Sequence, residues 1–309
     1  MKQIRQNDII IGVLCVSSSE VLFGLSYMFT KTAMDTAEPF ALLGWRFLLA
    51  ILVMFLCIKL GLIKMDLKGK PIKPLLIIAF FSPCLYFIGE TIGINHTTAS
   101  ESGVFLACIP VAALLASTLI LKKKPTKMQV TGILITLSGV MITIFAVGLV
   151  SSLSIIGYSF LFIAIIAYAL YVVFVEKAAA YSVIDITYVM LLFGAIVFGI
   201  LAVNEAIING NINELILLPF KERNFTIAII FQGIGCSVIA FFLFNVAISK
   251  IGVNRASSFI GVSTVVSIIS GTISLNENFT IYQIIGAFVI LSGVYIANTN
   301  KADDKKDTD

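Results

Sequence analysis

Charge is what this sequence has least of. Only 12% of its 309 residues are charged, about half the share usual in a soluble domain. That leaves too little polar surface to cover a water-facing globule, which excludes an ordinary soluble fold. Histidine occurs once, at His96, so no histidine cluster can bind a metal, and the HExxH pattern is absent. The apolar runs offer no aspartyl dyad, and Ser17, Ser18 and Ser19 have no histidine at comparable depth to activate them. These absences weigh against an intramembrane enzyme: the chain is expected to have no catalytic residue, no metal and no cofactor. The absence of G-x-x-x-x-G-K-[ST] argues against direct ATP hydrolysis. The five cysteines (Cys15, Cys57, Cys84, Cys108 and Cys236) lie in apolar runs without a CxxC pair. They read as small hydrophobes and not as a disulfide framework.

Long apolar runs are what the sequence has in plenty. Hydrophobic residues make up 59% and the mean hydropathy is +1.05. A span needs about 20 mostly apolar residues to cross the hydrocarbon core. Ten stretches qualify: 9–33, 39–61, 74–94, 99–121, 127–149, 154–175, 182–204, 226–249, 255–275 and 281–298. The first is too long for a signal-peptide core and reads as a retained helix. The expected fold is therefore an all-α membrane protein with ten transmembrane helices, multi-pass in the plasma membrane, with the lipid bilayer as its solvent. With the N-terminus inside, 17 of the 21 lysines and arginines fall in inner segments, which predicts that both termini are cytoplasmic. The net charge of +4 thus reports orientation and implies no nucleic-acid partner. The loop over 204–224 is the place for an extra amphipathic segment, and residues 301–309 read as a disordered charged tail.

The sequence also repeats itself. QVTGILITLSGVMI (Gln129–Ile142) and QIIGAFVILSGVYI (Gln283–Ile296) share seven identities in fourteen positions. They begin the fifth and tenth predicted spans. Five spans separate them, an odd number, so the halves 1–150 and 151–300 are expected to be inverted five-helix repeats. Gly132, Gly139, Gly286 and Gly293 are small surfaces suited to close helix approach.

Further residues carry a likeness to a known group. Phe23-Gly24, Ser26-Tyr27, Lys31, Pro39 and Arg46-Phe47 in the first half, Tyr168-Ala169-Leu170-Tyr171 and Lys177 in the second, and Asn276-Glu277, Gln283, Gly286 and Ser292-Gly293-Val294 near the end resemble the drug/metabolite transporter superfamily, in particular its EamA-like ten-helix members. The chain departs from the pattern where Pro110 is matched by Thr264 and Glu277 by Lys123. The resemblance implies a secondary transporter, an exporter driven by protons or by an exchanged solute, with a central cavity for a small-molecule metabolite or drug-like solute. It also allows a homodimer. A channel and a non-transporting membrane sensor or scaffold are the alternatives.

Ionisable side chains inside spans are costly and usually face a cavity or a partner. Glu20, Gly24, Tyr27 and Lys31 fall on one face of the first span, with Glu20 a candidate proton or cation site. Tyr86 and Glu90 share a stripe on the third span, and Arg46 lies at a depth that predicts an Arg46–Glu90 pair. Pro110, Tyr168, Tyr171, Asn245 and Thr264 are further candidate cavity linings. Lys31 is expected to snorkel to the interface, and His96 to lie at the surface.

Overall fold

A computed structural model describes residues 6–67, 69–148, 154–276 and 280–298. Every regular element among them is a helix: α1 (Gln6–Ala33), α2 (Pro39–Lys59), α3 (Lys73–Asn95), α4 (Ala99–Leu106), α5 (Ile109–Leu121), α6 (Lys127–Gly148), α7 (Ile155–Lys177), α8 (Val183–Ile208), α9 (Ile212–Lys221), α10 (Arg223–Ile251), α11 (Val253–Leu275) and α12 (Ile281–Asn298). Seven of them, α1, α2, α3, α7, α8, α10 and α11, are long and apolar enough to cross a membrane, and α5, α6 and α12 carry shorter apolar stretches. Their outward faces are hydrocarbon. Leu48, Leu52, Phe55 and Leu56 on α2 and Ile281, Ile285, Phe288 and Tyr295 on α12 are exposed at helical spacing, as lipid-facing positions should be. The predicted tail at 301–309 and the loop residue Glu277 lie outside the described residues.

Helix starts follow local chemistry. Ser182 and Asp185 form a reciprocal capping box at α8, and Ser154 accepts from the Gly157 N–H at α7. At α6 the Gln129 side chain accepts from the Thr126 N–H at 3.0 Å while Thr126 Oγ1 accepts from the Gln129 N–H. The repeated glutamine is thus the far half of a capping box, and the same Thr-x-x-Gln spacing recurs at Thr280 and Gln283. Lys122 and Asn276, the two non-glycine residues with positive φ among those described, end α5 and α11 in the left-handed conformation. They are 154 residues apart, the same offset that separates Gln129 from Gln283.

One expectation needs correcting, and another, the extra segment in the loop over 204–224, is met by α9. The stretch over 99–121 is two helices, interrupted at Ala107 and Cys108, with Pro110 in the first turn of α5, where its missing N–H costs nothing. The loop over 204–224 is mostly helical, because α8 continues to Ile208 and α9 follows. Pro219 within α9 cannot donate to the Leu215 carbonyl four residues back. Trp45 Nε1 on α2 donates there instead, at 2.9 Å, and holds α9 on the bundle.

The closest backbone approach joins α6 to α12. A Cβ on Gly132 would stand 2.6 Å from the Gly293 carbonyl, and one on Gly139 would stand 2.8 Å from the Gly286 carbonyl. An early glycine of one helix meets a late glycine of the other, so the two run antiparallel with almost no side chain between them. Elsewhere α1 packs on α10 and α11 while α7 packs on α3 and α5, and α2 packs on α8. Gly132→Val should therefore overpack a backbone-to-backbone contact and cost about 1–3 kcal/mol, read as a lowered melting temperature in detergent. Gly199→Ala, which meets nothing within 4 Å, should leave the melt unchanged.

Candidate functional site

The buried polar groups converge between α1, α3, α7 and α11. On α1, Glu20 and Tyr27 are 1% and 4% exposed and line a cavity of about 20 Å³, room for a water molecule and too small for a solute. Opposite them α3 contributes Tyr86 and Glu90, α7 Tyr168, and α11 Ser263. Tyr86 Oη donates to Glu90 Oε1 at 2.5 Å, one helical turn on. Glu20 is answered less well. Ser263, which lies beside it, donates its hydroxyl to the Ile260 carbonyl at 2.7 Å, and Glu20 Oε1 is buried without a hydrogen-bond partner.

The backbone on either side of this cavity is irregular. Phe80–Leu85 in α3 is a kink, with Ser82 extended (φ −144°, ψ 122°) ahead of Pro83, and Phe231–Ala240 in α10 is wound as π-helix, a geometry that re-aims side chains and recurs at functional sites. The residue that follows each stretch, Tyr86 in one and Phe241 in the other, lines the cavity.

A second and larger cavity, about 500 Å³, lies where the α1–α2 connection meets the end of α8 and α9. Its carboxylates are Asp35, Glu38, Glu205, Glu214 and Glu222, with Lys221 the one basic residue in the lining.

With this geometry in view, comparison with known proteins is decisive. The model of the EamA-like transporter family matches twice, over residues 10–145 and 155–299. The chain belongs to the EamA-like transporter family. The uncharacterized transporter YcxC of Bacillus subtilis (strain 168) is 31% identical over 281 residues, covering 90% of each chain. An uncharacterized transporter of Archaeoglobus fulgidus is 24% identical over 89% of this chain and 94% of its own length. The uncharacterized transporter YetK of Bacillus subtilis is 24% identical over 93% of this chain and 86% of its own. A protein crystal structure with 16% sequence identity shares the fold, with a TM-score of 0.68 over 95% of this chain and 97% of the other. This EamA-like protein is an integral, multi-pass membrane transporter.

Among the expected site residues of the EamA-like chain, Glu20, Tyr27, Tyr86, Glu90 and Tyr168 line one cavity, and the others lie elsewhere. Gly24 faces α11, where a Cβ would stand 2.6 Å from the Ser263 carbonyl. Tyr171 Oη donates to Asn245 Oδ1 at 2.6 Å, and Asn245 Nδ2 donates to Thr187 Oγ1 at 3.2 Å, a buried network joining α7, α10 and α8. Thr264 Oγ1 donates to the Gly103 carbonyl at 2.8 Å, closing the contact between α11 and α4. Pro110 is buried beside Ile109, the residue of that turn that reaches the cavity.

No Arg46–Glu90 ion pair forms. Arg46 Nε donates to Ser237 Oγ at 2.8 Å and Nη1 to Gln232 Oε1 at 3.2 Å, while the guanidinium lies 4.2 Å from the Phe87 ring centroid. Gln232 in turn donates to Thr30 Oγ1 at 2.9 Å, so the arginine ties α2 to α10 and through it to α1. Lys31, expected to snorkel to the interface, is engaged by the connection after α3. Its Nζ donates to the Ile94, Asn95 and Thr97 carbonyls at 3.1, 3.3 and 2.6 Å, answering the C-terminal end of α3. His96 is exposed, as expected.

The lining residues that sequence reasoning missed are Phe23, Ser26, Phe87, Phe241 and Ser263, with Ile109 and Ile260. Phe23 and Ser26 could have been found from the Glu20–Tyr27 face, one turn apart on the same helix. Arg46→Lys should lose the fork that engages Ser237 and Gln232 together and destabilise the protein by about 1.5–3 kcal/mol. The check is a thermal melt, in which Lys59→Arg at the end of α2 should behave as wild type.

Proposed function

We propose that this EamA-like protein is a secondary transporter whose two halves, 1–150 and 151–300, are inverted repeats of five spans that rock about the Glu20–Glu90 cavity. The shared 154-residue offset of the left-handed caps and of the repeated glutamines supports the repeat. The antiparallel glycine contact between α6 and α12 supports the inversion. So does the exchange of neighbours between α1 and α7, each packing on the other half's irregular helix, π-wound α10 or kinked α3, and on its broken partner. Ten crossings with both termini in the cytoplasm put the plasma membrane's inner face against the lysine-rich loops at 59–73 and 122–127.

One observation carries the mechanistic part: a carboxyl in mid-span, 1% exposed, with an oxygen that no protein donor reaches. A scaffold would satisfy such a group or replace it, because an unanswered buried charge costs several kcal/mol. A carrier needs it open, since a proton or a solute must bind there and leave again. The cavity is closed at water size, which fits an occluded state between inward and outward openings. Export is the expected direction, against the gradient of the solute and at the expense of an ion gradient or a counter-solute.

Topology is tested with single cysteines in a background lacking the native five. Lys64→Cys and Lys124→Cys should be protected from an impermeant maleimide in intact cells, and Asn209→Cys should be labelled. Transport is tested by screening the purified protein for thermal stabilisation by amino acids, nucleosides, polyamines and cationic drugs, then measuring flux of each hit in proteoliposomes. Glu20→Gln should reach wild-type abundance in the membrane and lose most of the coupled flux. Flux in that variant equal to wild type at every pH tested would remove Glu20 from the mechanism.

A further inference from the structure

We propose that the connection between α2 and α3 is a docking surface for anionic phospholipid, with Leu60, Leu62 and Ile72 seated among the acyl chains and Lys59, Lys64 and Lys73 on the headgroup phosphates. The leaflet is the inner one in the topology above. The inference takes nothing from the carrier reading, because it rests on the shape and charge of this connection alone.

The lipid-facing stripes of the two helices run into it. On α2 the exposed residues Leu48, Leu52, Phe55 and Leu56 lead to Leu60 and Leu62, which are 72% and 70% exposed. On α3, Phe80 and Leu76 lead back at helical spacing to the exposed Ile72. The apolar surface therefore continues past both helix ends. Lys59 follows Phe55 by four residues and Lys73 precedes Leu76 by three, so each lysine shares the lipid-facing side of its helix at the terminal turn. That is where hydrocarbon gives way to headgroups and long cationic side chains extend toward them.

The connection is folded onto the protein, which fixes the side it presents. Ile63 and Leu67 turn inward and pack on the core. The Asp66 N–H donates to Asp185 Oδ1 at 2.8 Å, and Tyr181 Oη donates to the Pro71 carbonyl at 2.6 Å. Both hydrogen bonds cross between the two halves, so a lipid seated here also braces their contact. The lysines divide: Lys70 is answered by Asp66 at 2.9 Å, whereas Lys59, Lys64 and Lys73 are exposed and meet no acidic side chain among the described residues. Three unanswered cations at the edge of an apolar surface fit an anion that brings acyl chains with it. A zwitterionic headgroup supplies its own ammonium, and a free phosphate leaves the leucines bare. The lysine-rich connection at 122–126 has the charge but no leucine, isoleucine or methionine.

The test adds dioleoylphosphatidylglycerol to delipidated full-length protein in detergent and follows its melting temperature. Dioleoylphosphatidylcholine and glycerol phosphate serve as a neutral lipid and as a headgroup without chains. Phosphatidylglycerol alone should stabilise, in a response that saturates and weakens in high salt. Lys59→Gln, Lys64→Gln and Lys73→Gln together should weaken its apparent affinity by about 100-fold, about fivefold for each lysine. Lys70→Gln should change it little. Leu60→Ser with Leu62→Ser should weaken it several-fold with every lysine in place. Arginine at positions 59, 64 and 73, which keeps the charge, should retain the response and guards against misfolding of the glutamine variant. Equal stabilisation by phosphatidylcholine or by glycerol phosphate, or none by phosphatidylglycerol, would overturn the proposal. A loss of the same size from Lys122→Gln, Lys124→Gln and Lys127→Gln together would also do so, since the response would then belong to positive charge in general and not to this surface.

Discussion

A charge in the interior of this bundle has no water to answer it, and most of the polar architecture follows from that cost. Arg46 is met by Ser237, Gln232 and the face of Phe87. Lys31 is met by three carbonyls at the end of α3, Asp185 by the backbone N–H groups of Ser182 and Asp66, and Glu90 by Tyr86. All but the Tyr86–Glu90 bond, one turn along α3, join elements distant in sequence or fix a helix end, and Arg46 keeps one buried nitrogen, Nη2, without a partner. Glu20 Oε1 and Glu205 Oε2 are likewise buried without a partner, and both side chains line cavities. What separates Glu20 is its place: it is 1% exposed in mid-span, and no basic residue lines its cavity.

The same economy shapes the backbone. Where α6 and α12 meet, glycine carbonyls approach within ångströms of positions where any side chain would collide, so this pair can only be a rigid seam. Around the cavity the reverse holds. The flanking helix α3 is kinked at Ser82 and α10 is wound as π-helix just before Phe241, and the chain between α4 and α5 is broken beside Ile109. Regular packing is concentrated far from the cavity, and irregular backbone, which can change its winding at lower cost, is concentrated beside it.

Much of this was legible in the sequence because periodicity reports azimuth along a single helix. Glu20 and Tyr27 are seven residues apart and Tyr86 and Glu90 four, and both pairs share the face that spacing predicts. Azimuth between helices is not written in any spacing. Arg46 and Glu90 were matched by depth, but the guanidinium points to α10, and the expected ion pair does not form. The phenylalanines of the cavity were invisible for another reason: Phe23 and Phe241 are two among 24, and only the fold distinguishes a ring that faces the cavity from one that faces lipid. Gln129 shows the limit of a repeat as a clue. The identity with Gln283 marked the unit correctly, while its physical cause, a capping box with Thr126, lay three residues upstream of the aligned block.

Closure of the cavity cannot be the work of the ion pairs at one end of the bundle and the Lys31 contacts at the other. Asp8 and Lys250 meet at 2.5 Å near one end of α1, Lys123 meets Glu176 nearby on the same side of the bundle, and Lys31 holds the connection after α3 at the other end of α1. The ion pairs are partly exposed, and exposed pairs contribute about 0–1 kcal/mol each. Burial of rings is worth more: Phe87, Phe241 and Phe244 are 2% exposed or less, and fully burying one such side chain contributes about 1.5–3 kcal/mol in an aqueous reference. When a cavity opens to water, it is this aromatic contact that must be given up. A solute that presents its own apolar surface to the same rings replaces the contact that closure would make, so occupancy and closure draw on the same surface.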